Sequence, residues 1–234
     1  MGKTQLIAQA TLYAAQQGEI VINYQAELST TEFSNIIASQ VSRKSRNKIS
    51  AEDYKSAAHA LRGVQYYVGC DPTLNTVYPV IDLLEAAISR LGATVVVLDH
   101  LHHLTRNTDS EIQDQANAMQ RLKSMAQKYG CKIIVIAQPR KANSANKGKL
   151  IHITDFKGSE AVTSGADAIF VLHRDYIKQK DPNNPPMDDY DPITEVHLLA
   201  ARSKGDGPTL AKLMFCGDIC TFSEISYEEN PTRS

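Results

Sequence analysis

Met1-Gly2-Lys3-Thr4 opens the chain, and its last three residues form the second half of the phosphate-binding pattern G-x-x-x-x-G-K-[ST]. In that pattern backbone N–H groups and a Lys hold the β/γ-phosphates while a hydroxyl holds Mg²⁺. Three residues alone are weak support, since Gly-Lys-Thr arises by chance in many chains. The support comes from the residues after Thr4, which read as a helix, a strand, an acidic turn, and later a buried strand ending in Asp99. The expectation is a nucleoside triphosphatase domain whose sequence opens partway into its own phosphate loop.

Working outward, Thr4 to Gln17 carries Ile7, Ala10, Leu12, Ala14 and Ala15, with Gly18 where a helix C′ glycine belongs. Residues 19–24 (Glu-Ile-Val-Ile-Asn-Tyr) read as a short buried strand. Ser29-Thr-Thr-Glu32 and Ser50-Ala-Glu-Asp53 are capping boxes, each opening a helix. Between those helices Ser42-Arg-Lys-Ser-Arg-Asn-Lys48 reads as a solvated basic connector. Val64 to Val68 is a strand, and Pro79 is expected to open a helix with Val80, Leu83, Leu84, Ala87, Ile88 and Leu91 inward. Thr94 to Leu98 is an apolar, β-branched run suited to a central parallel strand covered on both faces.

Residues 111–129 form the next helix, with Ile112, Ala116, Met119, Leu122 and Ala126 inward. Cys131 to Ala137 and Asp167 to His173 read as further buried strands. After a polar, Pro-rich insert over 178–192, strands at 194–201, 209–215 and 219–222 read as a late antiparallel meander. Alternating strands and helices imply an α/β fold: a mostly parallel sheet with helices on both faces and a C-terminal antiparallel extension, in one domain over residues 1–234. Ligands in such sheets bind beyond the carboxyl ends of the strands. Gly2, Lys3, Thr4, Glu27, Asp99 and Gln138 all fall there.

Composition narrows the partners. At 234 residues and 42% hydrophobic content the chain holds one full core. A net charge of −1 gives no bulk attraction for nucleic acid, so that contact must come from a local cluster. Cys70, Cys131, Cys216 and Cys220 lack paired C-x-x-C spacing and read as reduced core residues of a cytosolic protein. No apolar run is long enough to span a membrane, and the residues after Met1 lack the order of a signal peptide.

Phosphoryl transfer to water requires phosphates cradled, Mg²⁺ held, a water positioned and developing charge neutralised. Lys3 suits the phosphates and Thr4 the ion. Asp99 ends an apolar strand, where a carboxylate is costly unless paired or metal-bound, and so is read as holding Mg²⁺ directly or through water. Glu27, just past its strand, suits orientation of the attacking water, and Gln138 suits contact with the γ-phosphate and the following loop. That loop carries Arg140, Lys141, Lys147 and Lys149 among Gly, Asn and Ser, an arrangement able to follow single-strand phosphates without reading bases. Lys157 and Gly158 lie in a second loop that would join it.

The series Gly2-Lys-Thr4, Gln25-Ala-Glu-Leu-Ser29, Val95-Val-Val-Leu-Asp-His100, Val135-Ile-Ala-Gln138, Ile153-Thr-Asp-Phe-Lys-Gly-Ser159, residues 166–175 and Arg202-Ser-Lys-Gly-Asp-Gly-Pro-Thr209 resembles the C-terminal RecA-like ATPase domain of hexameric DnaB-like replicative helicases. The 153–159 segment leans toward the phage primase-helicase and Twinkle branch. The resemblance covers nearly the whole chain. It implies an ATP- and Mg²⁺-dependent motor in a homo-hexameric ring, acting on single-stranded and forked DNA in a bacterial or phage-infected cell, with a primase domain or protein as a further partner. It also implies that Glu27 is the catalytic glutamate, Asp99 the Walker B aspartate and Gln138 the γ-phosphate sensor. Arg202 matches the arginine finger reaching a neighbouring subunit's site, and Arg174 and Phe215 match the pair that sandwiches adenine.

Two departures accompany it. Ala200 stands where the family usually has a Lys, so Lys204 substitutes or Arg202 acts alone. The strand before the phosphate loop, which lies inside the sheet in this fold, and the first half of that loop are not in this sequence; the chain as written is therefore expected to bind ATP weakly or not at all. Two other readings stay open: a RecA-like recombinase or clock-type ATPase, and a non-catalytic oligomerisation or DNA-binding module.

Overall fold

The computed structural model describes residues 2–105, 110–137, 163, 165–178, 188–201 and 209–225. Four parallel strands lie in the order β2-β1-β3-β4, with β1 at Val21–Gln25, β2 at Tyr66–Gly69, β3 at Val95–Asp99 and β4 at Lys132–Ile136. The register aligns Val21 with Val95 and Gln25 with Asp99, so the polar ends of the two central strands finish together. All five residues of β1 and of β3 are buried, as strands covered on both faces must be.

Helices supply the cover. On one side α1 (Lys3–Gln16) lays Ala15 against Val21 and Val95, and α2 (Thr30–Ser42) adds Phe33 and Ile36 beside Ala8. On the other side α4 (Val77–Leu91), α5 (Leu101–Thr105) and α6 (Glu111–Tyr129) pack Ile81, Leu84, Ile88, Leu101, Leu104 and Leu122 against Ile22, Tyr24, Val96 and Leu98. The largest apolar cluster lies under this second layer. Leu84 is 1% exposed at its centre. Leu84→Ala is expected to cost about 2–5 kcal/mol, the range for a buried Leu whose space cannot fully close. A urea titration at constant m-value checks this.

Both capping boxes form as read. Ser29 Oγ accepts from the Glu32 N–H while the Glu32 carboxylate accepts from the Ser29 N–H, and Ser50 and Asp53 repeat the arrangement at α3 (Ala51–Ala60).

A second sheet, β10-β9-β8-β5, is antiparallel, with β5 at Ala168–His173, β8 at Ile193–Ala201, β9 at Thr209–Cys216 and β10 at Thr221–Glu224. The expected late meander is therefore present, its last strand displaced by two residues because 217–220 form the turn.

Several expectations are corrected. The α4 helix starts at Val77 rather than Pro79, and Leu83 and Leu91 are 44% and 37% exposed; the buried stripe runs through Val77, Val80, Ile81, Leu84 and Ile88. In α6, Ile112 is exposed, and Gln115, Ala118, Met119, Leu122 and Met125 face inward. The strands β4 and β5 are only partly covered, since among the described residues β4 pairs with β3 alone and β5 with β8 alone. Of the four cysteines read as core residues, Cys131 and Cys220 are buried, Cys70 is half-buried and Cys216, beside the turn between β9 and β10, is exposed. The insert read as polar loop begins and ends in a hairpin of β6 (Tyr176–Lys178) and β7 (Asp188–Tyr190).

Candidate functional site

The α1 helix brings the opening motif to the sheet. Gly2 is its N-cap, in the left-handed region at φ 94°, and no side chain caps the helix there. A Cβ on Gly2 would lie 3.1 Å from Phe222 Cζ and 3.2 Å from Arg174 Nη2, so both the backbone angle and the crowding call for glycine. An uncapped N-terminus with free N–H groups favours an anion.

Within the first turn, Thr4 Oγ1 donates to Asp99 Oδ2 at 2.6 Å, joining the motif to the end of β3. Asp99 is 3% exposed. Burial raises its pKa; the Thr4 hydrogen bond, His100 and Lys3 oppose that rise, and Glu27 adds to it. Lys3 is half-buried, and burial lowers its pKa against the pull of Asp99 and Glu27. Glu27 stands at the edge with its side chain 55% exposed, one carboxylate oxygen 3.4 Å from His100 Nε2. Lys3, Thr4, Glu27 and Asp99 thus come together at the carboxyl ends of β1 and β3.

The oxygens of Thr4 and Asp99 suit Mg²⁺, which takes one or two protein ligands and completes its octahedron with water and phosphate oxygens. The buried carboxylate fits that role, since a hard cation would supply the charge compensation that burial denies it.

The second sheet closes the site from the side. Gln9 of α1 accepts from the Phe222 N–H at 2.7 Å and donates to the Phe222 carbonyl at 2.8 Å, holding β10 against the helix as a neighbouring strand would. Gln40 of α2 donates to the carbonyls of Gln5 and Cys220. On this sheet the Arg174 guanidinium lies 4.2 Å from the Phe215 ring centroid and 5.8 Å from that of Phe222, and the two rings are 4.6 Å apart. Arg174 Nε donates to the buried Thr194 hydroxyl at 2.6 Å. Arg174 and Phe215 are therefore in contact with each other, and Arg174 lies beside Gly2.

Sequence reasoning missed Phe222, Gln9, Gln40, Gln25 and His100. Phe222 carried a signal, because a hairpin through 217–220 puts it directly across from Phe215. Gln138, Arg140, Lys141, Lys147, Lys149, Lys157, Gly158, Arg202 and Lys204 lie outside the described residues.

Fold and site define a class: an α/β domain with the RecA-like ATPase fold. The family follows from the sequence, since the DnaB-like helicase C terminal domain family matches residues 1–224, and the chain belongs to that family. It is 26% identical over 140 residues to the replicative DNA helicase DnaB of Leifsonia xyli subsp. xyli, covering 58% of this chain and 29% of that protein. It is 32% identical over 123 residues to the DNA helicase/primase of Enterobacteria phage T3, covering 50% of this chain and 20% of that protein. The matches thus span less than a third of either relative. Among solved structures, one ATPase domain superposes with TM-score 0.76 at 19% identity, over 96% of this chain and 81% of that one. A DnaB-like replicative helicase studied with primase gives 0.78 at 19% identity, over 97% and 55%.

No helix among the described residues is long and apolar enough to cross a membrane.

Proposed function

We propose that this domain is the motor of a replicative DNA helicase, hydrolysing ATP with Mg²⁺ between adjoining subunits of a homo-hexameric ring to move along single-stranded DNA and open forked duplex. The observation that carries the reading is the Thr4–Asp99 hydrogen bond of 2.6 Å, with Lys3 and Glu27 beside it. It joins a phosphate-binding helix start to a buried strand-end carboxylate, the pairing that ion-assisted phosphoryl transfer needs.

In this reading Lys3 and the α1 N-terminus hold the β/γ-phosphates, and Thr4 and Asp99 hold Mg²⁺, which neutralises charge on the phosphate oxygens when bound. Glu27 reaches solvent and orients the attacking water. Gln138 senses the γ-phosphate and Arg202 reaches in from the next subunit. Arg174 and Phe215, which lie against each other at 4.2 Å in this structure, part to take the adenine between a guanidinium plane and an aromatic face, a base-tolerant contact. Arg140, Lys141, Lys147 and Lys149 follow the DNA phosphates, which predicts strong salt dependence. The DNA substrate, the ring and a primase partner are proposed in line with the T3 helicase/primase and the DnaB-like helicase studied with primase. The proposed setting is the cytoplasm of a bacterial or phage-infected cell.

Forked-duplex unwinding tests this in the protein at its full natural length. Lys3→Ala and Arg202→Ala are each expected to abolish it, by about a hundredfold or more, the scale on which loss of a charge-stabilising group slows phosphoryl transfer. Unwinding unaffected by either change would point instead to a scaffold.

A further inference from the structure

Beneath α1 a line of buried polar side chains runs along one face of the sheet toward the site. Thr11 and Asn23 are 2% and 1% exposed, and Gln25, the last residue of β1, is 1% exposed. Four hydrogen bonds join them. Gln25 Nε2 donates to Asn23 Oδ1 at 2.6 Å, and Asn23 Nδ2 donates to Tyr66 Oη at 2.9 Å. Tyr66 Oη lies 3.1 Å from Thr11 Oγ1, which lies 2.6 Å from the Ile7 carbonyl.

That last contact sets the direction of the whole line. A backbone carbonyl only accepts, so the Thr11 proton points at Ile7 and the Thr11 oxygen takes the Tyr66 proton. Tyr66 must then accept from Asn23, and Asn23 must accept from Gln25. Each donor atom in the line has a partner, and the orientation of both amides follows from the network. One atom is left over: Gln25 Oε1 is buried with no partner among the described residues.

The position of this orphan acceptor is what gives it meaning. Gln25 pairs with Asp99 in the parallel register, so their side chains leave the sheet on the same face, the face on which Thr4 meets Asp99. A buried acceptor without a donor is costly and rare in native structures unless something absent from the protein alone completes it. The group required here is a hydrogen-bond donor on the sheet face that also carries the two oxygens suited to Mg²⁺, and water bound to such an ion is a strong donor.

We infer that Gln25 is a positioning residue for the metal, its Oε1 accepting a hydrogen bond from a water bound to the ion that Thr4 and Asp99 hold. The line from Ile7 through Tyr66 keeps the amide oxygen turned toward that water. This rests on the reading of Thr4 and Asp99 given above and adds Gln25, Asn23 and Tyr66 to it. Tyr66 also stacks on Phe33, rings 6.5 Å apart and 12° from parallel, so Tyr66→Phe can remove the hydroxyl while leaving that packing in place.

The test is equilibrium binding of a fluorescent ADP analogue to the protein at its full natural length, titrated with Mg²⁺. Gln25→Met keeps the length of the side chain and removes the acceptor. It is expected to raise the half-saturating Mg²⁺ concentration about tenfold, the worth of one hydrogen bond, with metal-free nucleotide affinity unchanged. Tyr66→Phe, which touches neither ion nor nucleotide, is expected to raise it about threefold by freeing the Asn23 amide to turn. A merely structural role for the line would move metal-free affinity and Mg²⁺ dependence together. Mg²⁺ midpoints equal to wild type in Gln25→Met overturn the inference and leave the Thr4–Asp99 site standing. Should Gln25→Met not fold, an unchanged midpoint in Tyr66→Phe overturns it. A wild-type protein with no Mg²⁺-dependent binding removes the site itself and this inference with it.

Discussion

Asp99→Asn, in the protein at its full natural length, is expected to make the metal-free form more stable while lowering ATP turnover about a thousandfold. The two effects share one cause. Asp99 ends a strand whose five residues are all buried, and it holds a carboxylate with burial pressing its pKa upward. An Asn side chain keeps an oxygen to accept the Thr4 hydroxyl but carries no charge to desolvate. Removing a buried charge that its neighbours compensate only in part stabilises, and a rise of about 2–5 °C in the thermal midpoint is the expected scale. The same replacement withdraws the charged ligand from Mg²⁺, and with it the several kcal/mol an ion supplies to phosphoryl transfer.

The pH dependence has a definite sign. The pKa of Asp99 is higher in the folded chain than in the unfolded one, so the folded state holds the proton more tightly. The penalty is therefore absent below the ordinary carboxylate value, grows as pH rises through the window between unfolded and folded pKa, and is complete above the folded pKa. The stability advantage of Asp99→Asn over wild type should shrink as pH falls into that window. Taking the difference between the two proteins cancels the titrating groups that do not interact with Asp99, leaving Asp99 and its charged neighbours Lys3, Glu27 and His100. Thermal melts without Mg²⁺ or nucleotide, at a series of pH values, read this directly. An Asp99→Asn protein less stable than wild type at neutral pH would mean that the carboxylate is already compensated within the folded chain.

How far the sequence carried these conclusions depends on what each residue answers to. Gly18, Ser29, Glu32, Ser50 and Asp53 act on their own few neighbours, and the helix ends they mark occur where read. The apolar run at 95–98 could only be a covered strand, and Asp99 at its end could only be costly or useful. The misplaced faces have a common origin. Leu83, Leu91 and Ile112 satisfy helical spacing, yet which stripe turns inward is decided by the helix facing it, and the α4 and α6 pair chose Ile81 and Leu84 against Leu122 and Met125.

The site divides in the same manner. Glu27 and Asp99 lie at or just past strand ends in a parallel sheet, so topology collects them, and Lys3 and Thr4 join them as the first residues of the helix packed on that sheet. Phe222 and Gln9 needed the docking of β10 on α1, a contact across 213 residues that no local pattern announces. Gln25 falls just past the strand read over 19–24, and the structure makes it the last residue of β1. Its orphaned oxygen was not legible, because that depends on a chain of bonds ending at the Ile7 carbonyl on another element.

Glu27→Gln is expected to lower ATP turnover by about a hundredfold to a thousandfold while leaving nucleotide affinity within about twofold of wild type, the scale set by loss of one positioned general base. Glu27 is the carboxylate of the site that reaches solvent: its side chain is 55% exposed where Asp99 is nearly closed off. A water must approach from that open side, because the inner side is filled by Thr4 and Asp99. Gln matches Glu in length and keeps an acceptor for His100 Nε2, now 3.4 Å from the carboxylate, so the local shape survives. What it loses is the ability to take a proton. Lys3→Ala should behave in the opposite manner, weakening nucleotide binding itself, since Lys3 carries charge to the phosphates. Measuring nucleotide affinity and single-turnover hydrolysis side by side separates the two roles. If Glu27→Gln weakened binding as much as turnover, Glu27 would be holding the nucleotide in place, and the water would need a different base.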